Sequence, residues 1–200
     1  MASDVPTDIV DALTKLGAEV EDIPSGLGHS SGTFWRFMPA ADASVDRFVV
    51  RDADSRLNAR DRIAVEEWIE SKLPVHILRD HVNHCWEMNA GMWGAVKDVF
   101  PSMKELIMAW SNREEGFADQ LFLKSKVWPE VKDKHLSHDA YCCDRYPNTN
   151  PFPTRRYKNY QHVGQVFDGE DHPRMTDIDG FIRGVPVPEK CRKKTDWIYG

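Results

Sequence analysis

The chain has 200 residues, of which 41% are hydrophobic, and a formal net charge of -6 at pH 7. This length and composition predict one globular domain with a full core, and the acidic balance disfavours a general nucleic-acid binder. The sequence contains neither a run of about 18 apolar residues, as a membrane span requires, nor the layout of a signal peptide. The four cysteines form no CxxC pair, so we expect free thiols and a cytoplasmic protein.

Helical and strand-like segments alternate along the chain. Apolar spacing predicts helices over residues 8–16, 60–72, 103–110 and 117–127, with a further helical start at 34–38. Short apolar runs predict strands over residues 18–23, 45–50, 75–78 and 136–141, and glycine and serine predict a loop over 24–32. This alternation is typical of an α/β fold with a mostly parallel sheet flanked by helices. Prolines interrupt residues 146–200, which we expect to form an irregular tail that wraps the domain.

The most informative motif is RDADSR at residues 51–56, directly after the apolar strand over 45–50. Asp52 and Asp54 are two residues apart, so they point to the same side of an extended chain. Their mutual repulsion requires a positive partner, either Arg51 and Arg56 or a divalent cation such as Mn²⁺ or Mg²⁺. Ligands of parallel sheets bind beyond the carboxyl ends of the strands, where this motif falls.

Three motifs together carry a family resemblance. Residues 51–56 resemble the Asp-x-Asp motif of glycosyltransferases with the A-type, Rossmann-like nucleotide-sugar fold, and residues 64–68 and 79–81 resemble a subgroup in bacteria and large viruses, including chlorella viruses. Residues 89–94 are similar to the Asn-Ala-Gly segment beside the donor sugar. Asp119 and Gln120 are similar to a later Asp-Gln pair. The resemblance covers roughly residues 33–167, and it makes residues 1–32 a short or truncated nucleotide-binding portion.

The resemblance implies a metal-dependent transfer of a sugar from a nucleotide sugar, most readily a UDP-sugar, to a glycan or glycoprotein acceptor. In a viral setting this would take place in the host cytoplasm, on capsid glycans. Asp52 and Asp54 would hold Mn²⁺ or Mg²⁺, with His138 or His162 as a third ligand.

The chemistry that this reaction needs assigns the remaining polar residues. Asp119 would be the catalytic carboxylate, acting as general base if the reaction inverts the sugar and positioning sugar hydroxyls if it retains. Asp80 is its rival for this role. Arg36, Arg155 and Arg156, with Asp52, would bind the nucleotide diphosphate.

The donor sugar would meet the segment around residue 91. Its expected contacts are Asn89, Ala90, Gly91 and Trp93, with the Trp93 ring stacked on the sugar.

Three other functions compete with this interpretation. A phosphatase of the haloacid dehalogenase type also places Asp-x-Asp after a strand, but it expects a small residue where Arg56 stands. A nucleotidyltransferase shares the carboxylates but usually carries a glycine-rich phosphate loop. A non-catalytic module that binds sugar or metal is the third.

Overall fold

A computed structural model describes residues 5–21, 32–112, 115–146 and 148–199. Its α-helices are α1 (Thr7–Lys15), α2 (Gly32–Trp35), α3 (Ala59–Ser71), α4 (Met103–Met108), α5 (Ala118–Phe122), α6 (Trp128–Val131) and α7 (Met175–Phe181). A π-helical turn, Leu123–Val127, joins α5 to α6, and two 3-10 turns span Met38–Ala41 and Glu189–Cys191. The strands are β1 (Arg47–Val50), β2 (Val75–Arg79), β3 (Trp93–Val96), β4 (His135–Asp139) and β5 (Thr149–Pro151).

These strands form a mixed sheet in the order β1-β3-β2-β4-β5. Strand β3 pairs antiparallel with both β1 and β2, whereas β2–β4 and β4–β5 are parallel pairs. The chain is therefore α/β with helices around a sheet, but the expected dominance of parallel pairing is not confirmed. Strands β1, β2, β4 and β5 still run in one direction, so their carboxyl ends share an edge with the start of β3.

Both faces of the sheet are covered, as the fully buried β2 requires. Val75 and Ile77 face a large core with Phe34, Phe37 and Phe122, and the same core contains Trp93 of β3. Residue Leu78 faces a second cluster, whose other buried members are Ala64, Met92, Ala140, Phe152 and Val163. Two of these come from the segment beyond residue 146, so the proline-rich part supplies core residues, one strand and one helix.

Most elements lie where the sequence predicts them. Asn58 caps α3, because its side chain accepts a hydrogen bond from the Asp61 N–H at 3.0 Å. The helix predicted over residues 117–127 is expected to stop near Pro129, and this stop is wrong: Pro129 takes an early position in α6, where its missing N–H is not needed. Strands β3 and β5 and helix α7 are additional. No strand forms over residues 18–21, and most of the predicted loop over 24–32 lies outside the described residues.

The cysteines are paired, which corrects the expectation of free thiols. Cys85 bonds to Cys142, and Cys143 bonds to Cys191. Because disulfides are typical of oxidising compartments, the thiol argument for a cytoplasmic protein no longer holds. Separately, no helix in the described ranges is long and apolar enough to cross a membrane.

Candidate active site at the carboxyl edge of the sheet

The three resemblance motifs converge on one edge of the sheet. Residues 51–56 follow β1, residues 89–91 precede β3, and Asp119 lies in the first turn of α5. Because β3 runs against its neighbours, its amino end lies at the edge where β1 ends. This strand direction places the Asn-Ala-Gly segment next to Asp52.

Arg36 joins two of the motifs. One guanidinium nitrogen donates to the Asp52 carboxylate, and the other donates to Asp119 Oδ2 at 3.0 Å. The Arg36 Nε also donates to the Thr33 carbonyl at 2.8 Å, and this third hydrogen bond fixes the orientation of the guanidinium plane. We call Asp52, Arg36 and Asp119 the surface ion-pair group, because the Asp52 side chain is 44% exposed.

Gly91 lies directly against this group. A Cβ atom at residue 91 would fall 2.0 Å from Asp52 Oδ2, which is far inside van der Waals contact. The Ala90 N–H donates to Gln120 Oε1, and the Gln120 amide nitrogen donates to the Met88 carbonyl. The Asp-Gln pair therefore holds the Asn-Ala-Gly segment through Gln120, while Asp119 points to Arg36.

The Asp54 side chain is exposed, and none of the described residues forms an ion pair with it. Its carbonyl accepts a 2.8 Å hydrogen bond from the Phe167 N–H, next to a bridge between Ser55 and Val166. Arg51 instead binds Asp61 through two nitrogens, at 2.8 and 2.6 Å, and Arg56 binds Asp171. The alternative in which Arg51 and Arg56 neutralise the two aspartates is therefore wrong.

Three histidines cluster beside the motif. His81 lies between His84 and His162, at ring-centroid distances of 4.9 and 4.8 Å. The Nδ1 atoms of His84 and His162 are buried and have no hydrogen-bond partner. Burial lowers the pKa of His84 to about 4, with a further contribution from His81, although the charges of Asp80, Asp177 and Asp52 oppose it. Burial also lowers the pKa of His162, to about 3, so burial disfavours the charged form of both rings.

Carboxylates at this edge supply part of a donor set for a divalent cation. Asp54 offers an unpaired carboxylate, a ligand type that Mn²⁺ accepts, whereas the unpartnered Nδ1 of His162 is enclosed, because this residue is 1% exposed. Among the described residues, however, no three such side chains already form a metal-holding group. His81 is occupied, since its Nδ1 accepts from the Asn83 N–H and its Nε2 contacts the Asp177 carbonyl at 3.3 Å.

Asp80 belongs to a different arrangement, which corrects its catalytic assignment. Its carboxylate is fully buried and binds Arg60 and Arg156, at 2.8 and 2.6 Å, together with the Val163 N–H at 2.9 Å. We call Asp80, Arg60 and Arg156 the buried ion-pair group. Because every one of these side chains is at most 3% exposed, neither Asp80 nor Arg156 can reach a substrate.

Two further assignments need correction. Trp93 is completely buried against Phe37, Phe48 and Phe100, so its ring has no face for a sugar. Both ring nitrogens of His138 are engaged, with His76 at 2.9 Å and Glu67 at 3.0 Å, which leaves none for a metal.

The remaining predicted residues divide into two kinds. Asn89 is buried and its Nδ2 donates to the carbonyls of Leu78 and His84, both at 3.0 Å, so both of its amide N–H donors hold the loop. Arg155 is exposed beside the buried Arg156 and stays a candidate for a phosphate contact.

Sequence reasoning missed two features of this site. The link from Arg36 to Asp119 joins residues 83 positions apart, and no local pattern indicates it. The RDHxxH string at residues 79–84 does indicate the histidine cluster, because it places His81 and His84 in one loop after β2. In comparisons with known proteins, no protein-family model matches the chain, and neither a curated protein nor a solved structure does.

Proposed function

We propose that this protein is a metal-dependent glycosyltransferase that moves a sugar from a nucleotide sugar, most readily a UDP-sugar, to a glycan or glycoprotein. One observation carries the proposal. Arg36 bridges Asp52 and Asp119 while Gly91 leaves room for the Asp52 carboxylate, so three motifs distant in the sequence meet at one corner of the sheet. Convergence at the edge where strands end is what ligand binding in α/β sheets requires.

The cation is assigned to the carboxylates of Asp54 and Asp52, which reach solvent at this edge. A divalent cation neutralises the charge that builds on a leaving diphosphate, which is worth several kcal/mol of barrier. No side chain in the described part of the chain neutralises the Asp54 carboxylate, so its negative charge is available to the cation.

Asp119 is assigned to the sugar hydroxyls. Its Oδ2 accepts from Arg36 and its Oδ1 accepts from the Gln120 N–H at 2.8 Å, so each oxygen keeps one acceptor position. A carboxylate held at two points is well placed to orient a hydroxyl group or to accept its proton. Arg36 prevents the two carboxylates of the corner from repelling each other and orients both.

Metal-dependent nucleotide binding tests the proposal. UDP is titrated into the protein by calorimetry, with and without Mn²⁺, and the titration is repeated with Asp54→Asn. We expect binding only with Mn²⁺, and at least a tenfold loss in the variant. Asp179→Asn is the matched control, because Asp179 is an exposed aspartate of α7 that pairs with Arg183.

Absence of UDP binding at every Mn²⁺ concentration would reject the proposal. Release of UDP from a panel of UDP-sugars then identifies the donor. Binding without any such release would instead favour a non-catalytic module.

A further inference from the structure

An aromatic pair, the exposed Phe117 and the partly buried Trp86, borders the candidate site. Phe117 is 72% exposed, the largest exposed fraction of any aromatic side chain in the described part of the chain. Its ring stacks on Trp86, with centroids 6.4 Å apart and planes inclined by 27°. Folding normally places large aromatic rings inside, so an exposed Phe117 ring held against the partly buried Trp86 indicates a binding surface.

The backbone holds both rings in place. Phe117 adopts φ = 61°, a left-handed conformation that costs free energy in a bulky residue. The Trp86 carbonyl accepts a 2.7 Å hydrogen bond from Arg79, whose side chain is fully buried in an ion pair with Asp139. Next to Trp86, Cys85 is bonded to Cys142.

The pair adjoins the Asp119 end of the surface ion-pair group. Phe117 precedes Asp119 by two residues, and Trp86 belongs to the loop that ends at Gly91. Glu87 and Lys124 form a 3.0 Å ion pair between the same two segments, so charged groups rim the aromatic surface.

We infer that Trp86 and Phe117 form the acceptor subsite, on which the pyranose ring of a neutral saccharide stacks. A pyranose presents apolar C–H groups on one face and hydroxyls around its edge, which matches flat rings rimmed by Glu87 and Lys124. The donor sugar is expected at the segment around residue 91, so the sugar that stacks on this pair, next to Asp119, is the acceptor. The assignment as acceptor rests on the proposed function, whereas saccharide binding by the pair is measurable without it.

Phe117→Gly is the decisive variant. Glycine removes the ring and accepts φ = 61° without strain, so the melting temperature should stay the same or rise. Saturation-transfer NMR with methyl glycosides of glucose, galactose, mannose and xylose should show transfer to wild-type protein. The affinity for the bound glycoside should fall about tenfold in Phe117→Gly.

Two controls separate ring loss from other effects. Phe117→Tyr keeps the aromatic face and should retain glycoside binding. Tyr199→Ala removes a different ring, 52% exposed near the end of the chain, and should change nothing.

Glycoside binding that survives Phe117→Gly in a folded protein would overturn the inference, as would the absence of transfer to every glycoside. Loss of Mn²⁺-dependent UDP binding in Phe117→Gly with unchanged glycoside binding would also overturn it, because the pair would then serve the nucleotide. Failure of the proposed function appears separately, as wild-type protein that binds a glycoside but never UDP.

Discussion

The surface and buried ion-pair groups use the same residue types for opposite purposes. In the surface group, one arginine serves two carboxylates, and the Asp52 side chain is 44% exposed. In the buried group, two arginines serve one carboxylate, and Asp80 is fully enclosed. The first arrangement leaves negative charge available to a cation, and the second leaves none.

The difference shows how tertiary contacts separate an aspartate that can accept a ligand from one that cannot. Burial alone would raise the pKa of Asp80, but Arg156, Arg60 and the Val163 N–H hold it well below its ordinary value. Asp80 therefore stays charged, and its oxygens are already occupied. By tying Arg60 of α3 to the segment at Val163, it positions the neighbouring His162.

Asp80→Asn should have the largest effect on stability. The substitution keeps the shape but leaves Arg60 and Arg156 buried without a counter-charge, which costs about 3–5 kcal/mol. Guanidinium denaturation at pH 7 measures the loss. Asp171→Asn breaks the exposed pair with Arg56 and should change stability by less than about 1 kcal/mol. Equal losses in the two variants would contradict the contrast between buried and exposed pairs.

Gly91→Ala should damage the surface group while the fold persists. The new methyl group would displace the Asp52 carboxylate, costing about 1–3 kcal/mol of stability and about tenfold in Mn²⁺-dependent UDP affinity. Denaturation and calorimetry measure the two effects. Gly180→Ala is the control, because a Cβ on this α7 residue meets nothing within 4 Å and should leave UDP affinity unchanged. Full UDP affinity in Gly91→Ala would show that the Asp52 position is unimportant.

Acidification should destabilise the protein through the cluster of His81, His84 and His162. The charges of Asp52 in the surface group and Asp80 in the buried group both act on His84. Burial lowers the pKa of His84 to about 4 and that of His162 to about 3, whereas both titrate near 6.5 when unfolded. Protonation therefore favours the unfolded chain. Stability is complete above about pH 6.5 and falls by about 1.4 kcal/mol per pH unit for each ring as the pH drops toward 4.

Denaturation midpoints between about pH 7 and about pH 5 measure this slope. His162→Gln should reduce it by one proton, and His172→Gln, which alters an exposed ring, should not. An unchanged slope in His162→Gln would show that His162 is not buried in its neutral form.

Arg36→Gln should have the smallest effect on stability. The pairs of Arg36 are partly solvated, so their loss costs less than about 1 kcal/mol. UDP affinity with Mn²⁺ should nevertheless fall about tenfold, since Asp52 and Asp119 lose their common partner. A stability loss as large as that of Asp80→Asn would erase the distinction between the two groups.

Local patterns in the sequence predict much of this fold. Helix α3 and strands β1, β2 and β4 follow from apolar spacing and the Asn58 cap, because each buries one continuous face or both. The sequence does not predict strand β3, because Gly94 and the preceding Asn-Ala-Gly segment are typical of a loop. Its glycine is needed because a Cβ there would come within 2.5 Å of the Phe48 carbonyl.

Long-range pairing limits what sequence predicts about the site. The position of Asp52 and Asp54 beyond β1 follows from strand order. The ion-pair partner of Asp52 does not, because Arg51 is its neighbour in sequence but pairs with Asp61, and the distant Arg36 pairs with Asp52 instead. Asp80 and Asp119 both follow or begin regular elements, and only tertiary packing shows that one is enclosed and the other accessible. Burial of a charge depends on the elements that cover it, which local sequence does not encode.

The neighbouring half-cystines Cys142 and Cys143 set a specific problem for oxidative folding. Four cysteines allow three sets of two bridges, and one incorrect set merely exchanges the partners of these adjacent residues. Distance along the chain cannot distinguish them. The apolar contact of Cys143 and Cys191 with Val187 and Tyr141 does distinguish the two sets, because it brings the sulfur of Cys143 to Cys191 in the C-terminal segment. Correct pairing of the sulfurs therefore depends on packing that precedes oxidation.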